Sequence, residues 1–119
     1  MKNNLLILSI TLLIGYTGFS QTVNGVPIKD INAEYIQIMG SPVLLKNKLH
    51  ILIDFGQFYN ALSNKEQVIL DSTSRRMQFN SMIEALNFMS ANGYEFVQAY
   101  GVAINNKEIE HYYLLRRKK

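Results

Sequence analysis

The sequence predicts an α+β domain: an antiparallel sheet of four to five strands in the order β-β-(β)-α-β-β, with one helix packed across it. Three observations predict it. Residues 79–116 read as an amphipathic helix, a glycine stop and a long two-stranded hairpin. Residues 33–39 and 49–55 read as two strands close enough in sequence to form a hairpin of their own. Between these units lie turn-forming residues, with no internal repeat and no low-complexity tract.

The helix is the clearest element. Ser81-Met82-Ile83-Glu84 fits a capping box, in which the Ser81 hydroxyl accepts from the Glu84 amide and the Glu84 carboxylate reaches back. Asn80 could cap one residue earlier. At 100° per residue, Ala85, Met89, Met82, Leu86 and Ile83 share one arc. Glu84, Asn87 and Ala91 lie opposite and should face water. Phe88 falls off the stripe and should make a flank contact or be partly exposed. Gly93, after Asn92, suits the left-handed residue that ends a helix.

The hairpin follows as Tyr94–Ile104, Asn105-Asn106 and Lys107–Arg117. Asparagine tolerates positive φ, so Asn-Asn is expected as a two-residue turn. That turn would set Glu95 against Arg116, Phe96 against Leu115, Val97 against Leu114 and Val102 against Ile109. Gln98 would face Tyr113 and Tyr100 would face His111. The result is one opposite-charge pair and several apolar pairs. One face would carry Phe96, Tyr100, Val102, Ile109, Tyr113 and Leu115, the other Val97, Ala99, Tyr112 and Leu114. A single helix covers only one face of a sheet. Val97, Ala99, Tyr112 and Leu114 are therefore the candidate interaction surface, unless residues 57–78 cover them.

Upstream, Gln21–Asp30 contains Asn24-Gly25 and Val26-Pro27, and residues 21–32 are expected to be a loosely tied arm. Residues 33–39 (AEYIQIM) form the first strand, which Gly40-Ser41-Pro42 should break. Lys46-Asn47-Lys48 makes a polar turn. The second strand alternates cleanly, with Leu49, Ile51, Ile53 and Phe55 on one face. In 57–78, Phe58, Tyr59 and Leu62 suggest a helical turn or packed loop, and Val68-Ile69-Leu70 a short strand. Asp71-Ser72-Thr73-Ser74 suggests a turn, and Arg75–Phe79 a return strand.

Residues 1–20 have the pattern of a secretory signal peptide: Lys2, an apolar run from Leu5 to Ile14, and small residues Gly18 and Ser20 before a cut. The run is shorter than the roughly 20 apolar residues a spanning helix needs. Cleavage after Ser20 would leave residues 21–119 as a single domain, periplasmic or secreted, with no transmembrane segment. The chain has no cysteine, hence no disulfide and no lipid attachment at the cut. Its net charge of +3 is unevenly placed. Arg116, Arg117, Lys118 and Lys119 form a basic tail at 116–119, and the body between leader and tail is slightly acidic. No basic stripe of the kind nucleic-acid readers use is visible. The tail allows a weak attraction to an anionic surface.

The run from Ala85 through Ala91-Asn92-Gly93-Tyr94-Glu95-Phe96-Val97, followed by a strand ending Tyr113-Leu114-Leu115-Arg116-Arg117, resembles a small bacterial domain family of unknown function. That pattern is a helix, Gly-Trp-Glu-Leu-Val, and a hairpin ending in apolar residues and a basic one. Here Tyr94 stands for the tryptophan, and the likeness covers about a third of the domain. The chain is also similar to short secreted bacterial proteins of unknown function with EYIQI, IDFGQ and FNSMIEALNFM-like segments. The resemblance implies a small sheet-and-helix fold and no particular activity.

Catalytic signals are sparse. Asp54-Phe55-Gly56 matches the kinase metal-binding tripeptide but lacks every companion motif, so it reads as a strand ending in a turn. His50 and Asp54, four residues apart on a strand, stand roughly 13 Å apart at ~3.3 Å per residue. His111 lacks a third group to orient it, and two histidines without cysteine give no zinc spacing. Glu108 and Glu110 lie beside a turn, where solvated charge is expected. No cofactor, metal or nucleic-acid ligand is expected. The favoured function is a non-catalytic exported binding module for a protein partner or a second copy. The alternatives are a small hydrolase using His50 or His111, and an envelope-surface protein held by its basic tail.

Overall fold

The computed structural model describes residues 20–57 and 67–119. Residues 1–19 of the leader expected at 1–20, and the helical turn or packed loop expected at Phe58, Tyr59 and Leu62, lie outside the described residues. The elements are β1 (Thr22–Val23), β2 (Val26–Pro27), a 3-10 turn (Ile28–Asp30), β3 (Tyr35–Pro42), β4 (Leu49–Asp54), α1 (Met82–Ala91), β5 (Tyr94–Ala103) and β6 (Ile109–Arg117). β1 and β2 pair with each other. The other four strands form one antiparallel sheet in the spatial order β4-β3-β6-β5. The fold is α+β, as the sequence predicts.

Alternation builds the buried face of the sheet. Ile36 and Ile38 of β3, Ile51 and Ile53 of β4 and Leu115 of β6 are all buried there. Phe55, just past β4, packs against the same core. Contrary to expectation, Gly40-Ser41-Pro42 does not break β3 but pairs with Ile51, His50 and Leu49. Pro42 lies past Met39, where β3 no longer pairs with β6 and is an edge on that side, so its missing N–H is tolerated. Gly40 lies under the helix start: a methyl group there would come within 2.7 Å of the Met82 sulfur. The strand readings at 68–70 and 75–79 appear as single bridges, Val68 to Leu52, Leu70 to Arg76 and Phe79 to Leu49. Ile53 N–H donates to the Gln67 carbonyl at 2.7 Å, and Ile69 N–H to that of Ile51 at 3.0 Å. The outer edge of β4 is therefore closed. The turn between these pieces is held by the Asp71 carboxylate, which accepts from the Thr73 amide and hydroxyl and the Arg75 amide. These bonds, led by the Thr73 hydroxyl, hold the Asp71 pKa below its ordinary value.

The helix starts as the capping box requires. Ser81 Oγ accepts from Glu84 N at 3.2 Å, and Glu84 Oε2 accepts from the Asn80 amide at 2.7 Å. Gly93 ends it with φ +94°. Ala85 and Met89 are buried, but Ile83 is 66% exposed. The helix is rolled toward Phe88, which meets Phe79 edge to face at 5.4 Å. That aromatic contact supplies area Ile83 could not reach, and it moves Ile83 off the buried arc.

The hairpin register departs from expectation after its first pairs. Glu95 faces Arg116 and Phe96 faces Leu115, as expected. The ladder then shifts at a bulge between Phe96 and Gln98. Gln98 faces Leu114, Ala99 faces Tyr113, Tyr100 faces Tyr112, Gly101 faces His111, Val102 faces Glu110 and Ala103 faces Ile109. The cause is at the tip. Asn105 Oδ1 accepts from the amides of Lys107 at 2.8 Å and Glu108 at 3.0 Å, while Ile104 N–H donates to the Glu108 carbonyl at 3.1 Å. The loop is thus three residues long, and the bulge absorbs the odd residue.

Residues 21–32 are not a loose arm. Val23, Ile28 and Ile31 are buried in the core, and Thr22 exchanges backbone bonds with Leu70 at 2.8 and 3.0 Å. Nor are Arg116, Arg117 and Lys118 a free tail. Arg116 binds Glu95, Arg117 donates to the Ile31 carbonyl and the Tyr94 hydroxyl, and Lys118 Nζ donates to the Ser90 carbonyl. Tyr94, fully buried, donates its hydroxyl to the Ala33 carbonyl at 2.9 Å with the Arg117 guanidinium 4.8 Å from its ring centroid. This latch ties the N-terminal arm to the hairpin base, and burial raises the Tyr94 pKa despite the nearby charge.

Two stability measurements check this packing. Met89→Ala should cost about 2–5 kcal/mol in denaturant melts, whereas Ile83→Ala should stay within about 0.5 kcal/mol; the reverse order would refute the helix phase. Tyr94→Phe should cost about 1–3 kcal/mol, because it leaves the buried end of the latch without its donor and acceptor.

Candidate functional site

The bulge decides which side chains share the sheet face away from the helix. From β4 to β5, this face carries Leu52, then Tyr35, Gln37 and Met39, then Tyr112 and Leu114, then Gln98, Tyr100 and Val102, by the register of the four strands. Two of the four residues expected to form the interaction surface, Tyr112 and Leu114, stand together here, half-buried. Val97 occupies the bulge and is 40% exposed. Ala99 does not belong: it pairs with Tyr113 on the helix side. Tyr100 and Val102, assigned from sequence to the helix side, are on this face instead.

At its centre, the Tyr100 and Tyr112 rings stack with centroids 5.5 Å apart and planes 24° from parallel. The Tyr100 hydroxyl is hydrogen-bonded to the Gln37 side-chain oxygen, and the Tyr112 hydroxyl to the Glu110 carboxylate. Both rings are thus held at both ends, by stacking and by a polar anchor. At the border Arg116 places Nη2 2.9 Å and Nε 3.2 Å from Glu95 Oε1. The Glu95 bond, with a smaller contribution from Tyr35, raises the Arg116 pKa further. The result is an open sheet face of aromatic, aliphatic and thioether side chains with a charged rim. β5 borders it as an edge strand: among the described residues its outer side has no strand partner, and residues 96–103 are all exposed.

The catalytic candidates are not brought together. By strand register His50 faces away from the helix and His111 toward it, so the two lie on opposite faces. His50 Nδ1 lies 3.2 Å from the Met77 carbonyl. Asp54 accepts from the Gly56 amide at 2.9 Å and closes a turn at the strand end. Glu110 serves Tyr112, and Glu108 contacts the Asn105 amide. Among the described residues no group of three or more His, Cys, Asp or Glu could hold a metal ion. No described helix is long and apolar enough to cross a membrane.

Sequence reasoning missed Tyr35, Gln37, Met39 and Leu52 as members of this face. The signal was present, because they alternate with the buried Ile36, Ile38, Ile51 and Ile53. Comparison of the chain with protein-family models, curated proteins and solved structures found no match.

The patch is dispensable for folding by this geometry. Tyr100→Ala and Tyr112→Ala should each cost about 1 kcal/mol or less, the scale of a cross-strand pair, when measured by denaturant melts beside Met89→Ala.

Proposed function

We propose that this chain is an exported, non-catalytic module that binds a protein partner on the sheet face opposite the helix. The carrying observation is the stacked, half-exposed Tyr100–Tyr112 pair beside the edge strand β5. Tyrosine gives large contact area at little conformational cost, and both rings are already positioned by Gln37 and Glu110. An extended segment of a partner can add to the outer edge of β5 with its side chains lying on the aromatic patch, a common mode of peptide recognition. An open sheet face beside an unpaired strand edge suits a strand better than a small molecule, which needs a concave site with convergent polar groups. Export rests on the leader pattern of Lys2, Leu5–Ile14 and Gly18-x-Ser20.

Both parts have direct tests. Mass spectrometry of the protein from its native host should find the N-terminus at Gln21; an N-terminus at Met1 in the mature protein would exclude the export reading. Affinity capture from envelope fractions should recover a partner with the wild type and with His50→Ala/His111→Ala. Tyr100→Ala/Tyr112→Ala should lose it at least tenfold. Equal capture by all three proteins would reject this face as the binding site.

A further inference from the structure

The end of the sheet remote from the Tyr94 latch has a different chemistry. β3 and β5 run parallel, so the β3–β4 and β5–β6 turns emerge at the same end. Beyond the Met39–Tyr112 pair β3 and β6 separate. A cavity of about 660 Å³ opens between them, lined in part by Pro42, Met82, Ile104, Lys107 and Ile109. The first turn is closed by Val43 N–H donating to the Lys48 carbonyl at 2.9 Å. At its tip Leu44 is 86% and Leu45 96% exposed. Leu45 has φ +61°, a backbone region that disfavours a leucine side chain. Neither leucine contributes to the core, and glycine, asparagine or serine would suit the turn better. The second turn presents Ile104 and Ile109, 53% and 61% exposed. Two turns of one small domain thus hold apolar side chains out in water, one of them at a backbone cost.

The charges around the tips indicate what they enter. The segments 43–48 and 104–110 carry Lys46, Lys107 and Lys48, whose ammonium donates to the Asn80 side-chain oxygen, against Glu108 and Glu110. Leucine and isoleucine on projecting turns with lysines just behind them match the depth profile of a bilayer surface. Apolar tips enter the acyl boundary while ammonium groups stay at the phosphates. Leu44 and Leu45 stand outside the cavity at the tip of their turn, while Ile104 and Ile109 line its rim. We infer that this end of the molecule docks on an anionic lipid surface through Leu44, Leu45, Ile104 and Ile109, with Lys46, Lys48 and Lys107 at headgroup level. The basic C-terminal residues are not the anchor, since three of the four are engaged at the opposite end. Docking here leaves the tyrosine face free, so this inference does not rest on the partner-binding proposal.

The test uses the full chain, whose lack of cysteine lets a single introduced thiol be labelled uniquely. A polarity-sensitive dye is placed at Asn47→Cys, at Asn106→Cys, and at Ala91→Cys on the far end as control. Vesicles of phosphatidylcholine with phosphatidylglycerol should shift the emission of the first two labels to the blue and leave the third unchanged. Reading local depth separates the tips from any contribution of the N-terminal apolar run. Leu44→Ser/Leu45→Gly should abolish the shift at position 106, with apparent vesicle affinity falling at least tenfold. Lys46→Ser should weaken it about fivefold, equivalent to about 1 kcal/mol per lysine at such a surface. The double variant should melt no lower than the parent, because glycine relieves the backbone at position 45. A shift at position 91 as large as at 47 and 106 would overturn the inference. So would equal shifts on pure phosphatidylcholine, or an unaltered response in the double variant. If the tips stay silent on vesicles while the double variant changes the oligomeric state in solution, they belong to a contact between copies and the lipid assignment is wrong.

Discussion

The pairing of β3 with β6 is the interaction on which the rest depends. It joins a hairpin near the N-terminus to one at the C-terminus through five residue pairs, from Tyr35–Arg116 to Met39–Tyr112. On one side it sets Ile36 against Leu115 and Ile38 against Tyr113, the seam of the core under the helix. On the other it sets Gln37 against Leu114 and Met39 against Tyr112, the centre of the exposed face. Without it the domain would be two hairpins, each too small to be stable alone. The latch of Tyr94, Arg117, Ile31 and Ala33 closes one end of this seam, and at the other end the strands part.

The two ends and two faces divide the work. The helix face and the latch hold nearly all the fully buried side chains, including every buried isoleucine. The opposite face carries aromatic rings held in place but only half-covered. The open end carries apolar turns that stability does not require. The features that lack a structural purpose are therefore not scattered. Apart from Ile83, Phe96 and Val97, the exposed large apolar side chains fall on one face and one end, which the proposed partner and the proposed lipid surface would meet independently.

Much of the fold was legible because periodicity is local. The capping box, Gly93 and the Leu49–Phe55 alternation each stand on adjacent residues, and each appears as read. The Asp71 turn was legible from composition for the same reason. The errors came where a side chain chose between two local geometries. Asn105 could hold a two-residue turn or an Asx-type loop of three, and the choice moved Ala99, Tyr100 and Val102 to opposite faces through the bulge after Phe96. Val23, Ile28 and Ile31 follow no helix or strand period, so an arm that is core looked like a tether. Leu44 and Leu45 drew no notice beside the polar Lys46-Asn47-Lys48, because exposure of apolar residues leaves no sequence pattern.

The order in which the sheet is assembled has a consequence for the timing of folding. β3 and β6 are neighbours in space but far apart in sequence, with β4, the helix and β5 between them. Local hairpins can form early, but the central seam must wait for the last strand to leave the ribosome, and such distant pairings form slowly. Until β6 pairs with β3, the isoleucines of β3 and β4 have no complete layer to enter. Completion of the sheet therefore waits on β6, however early the two hairpins form.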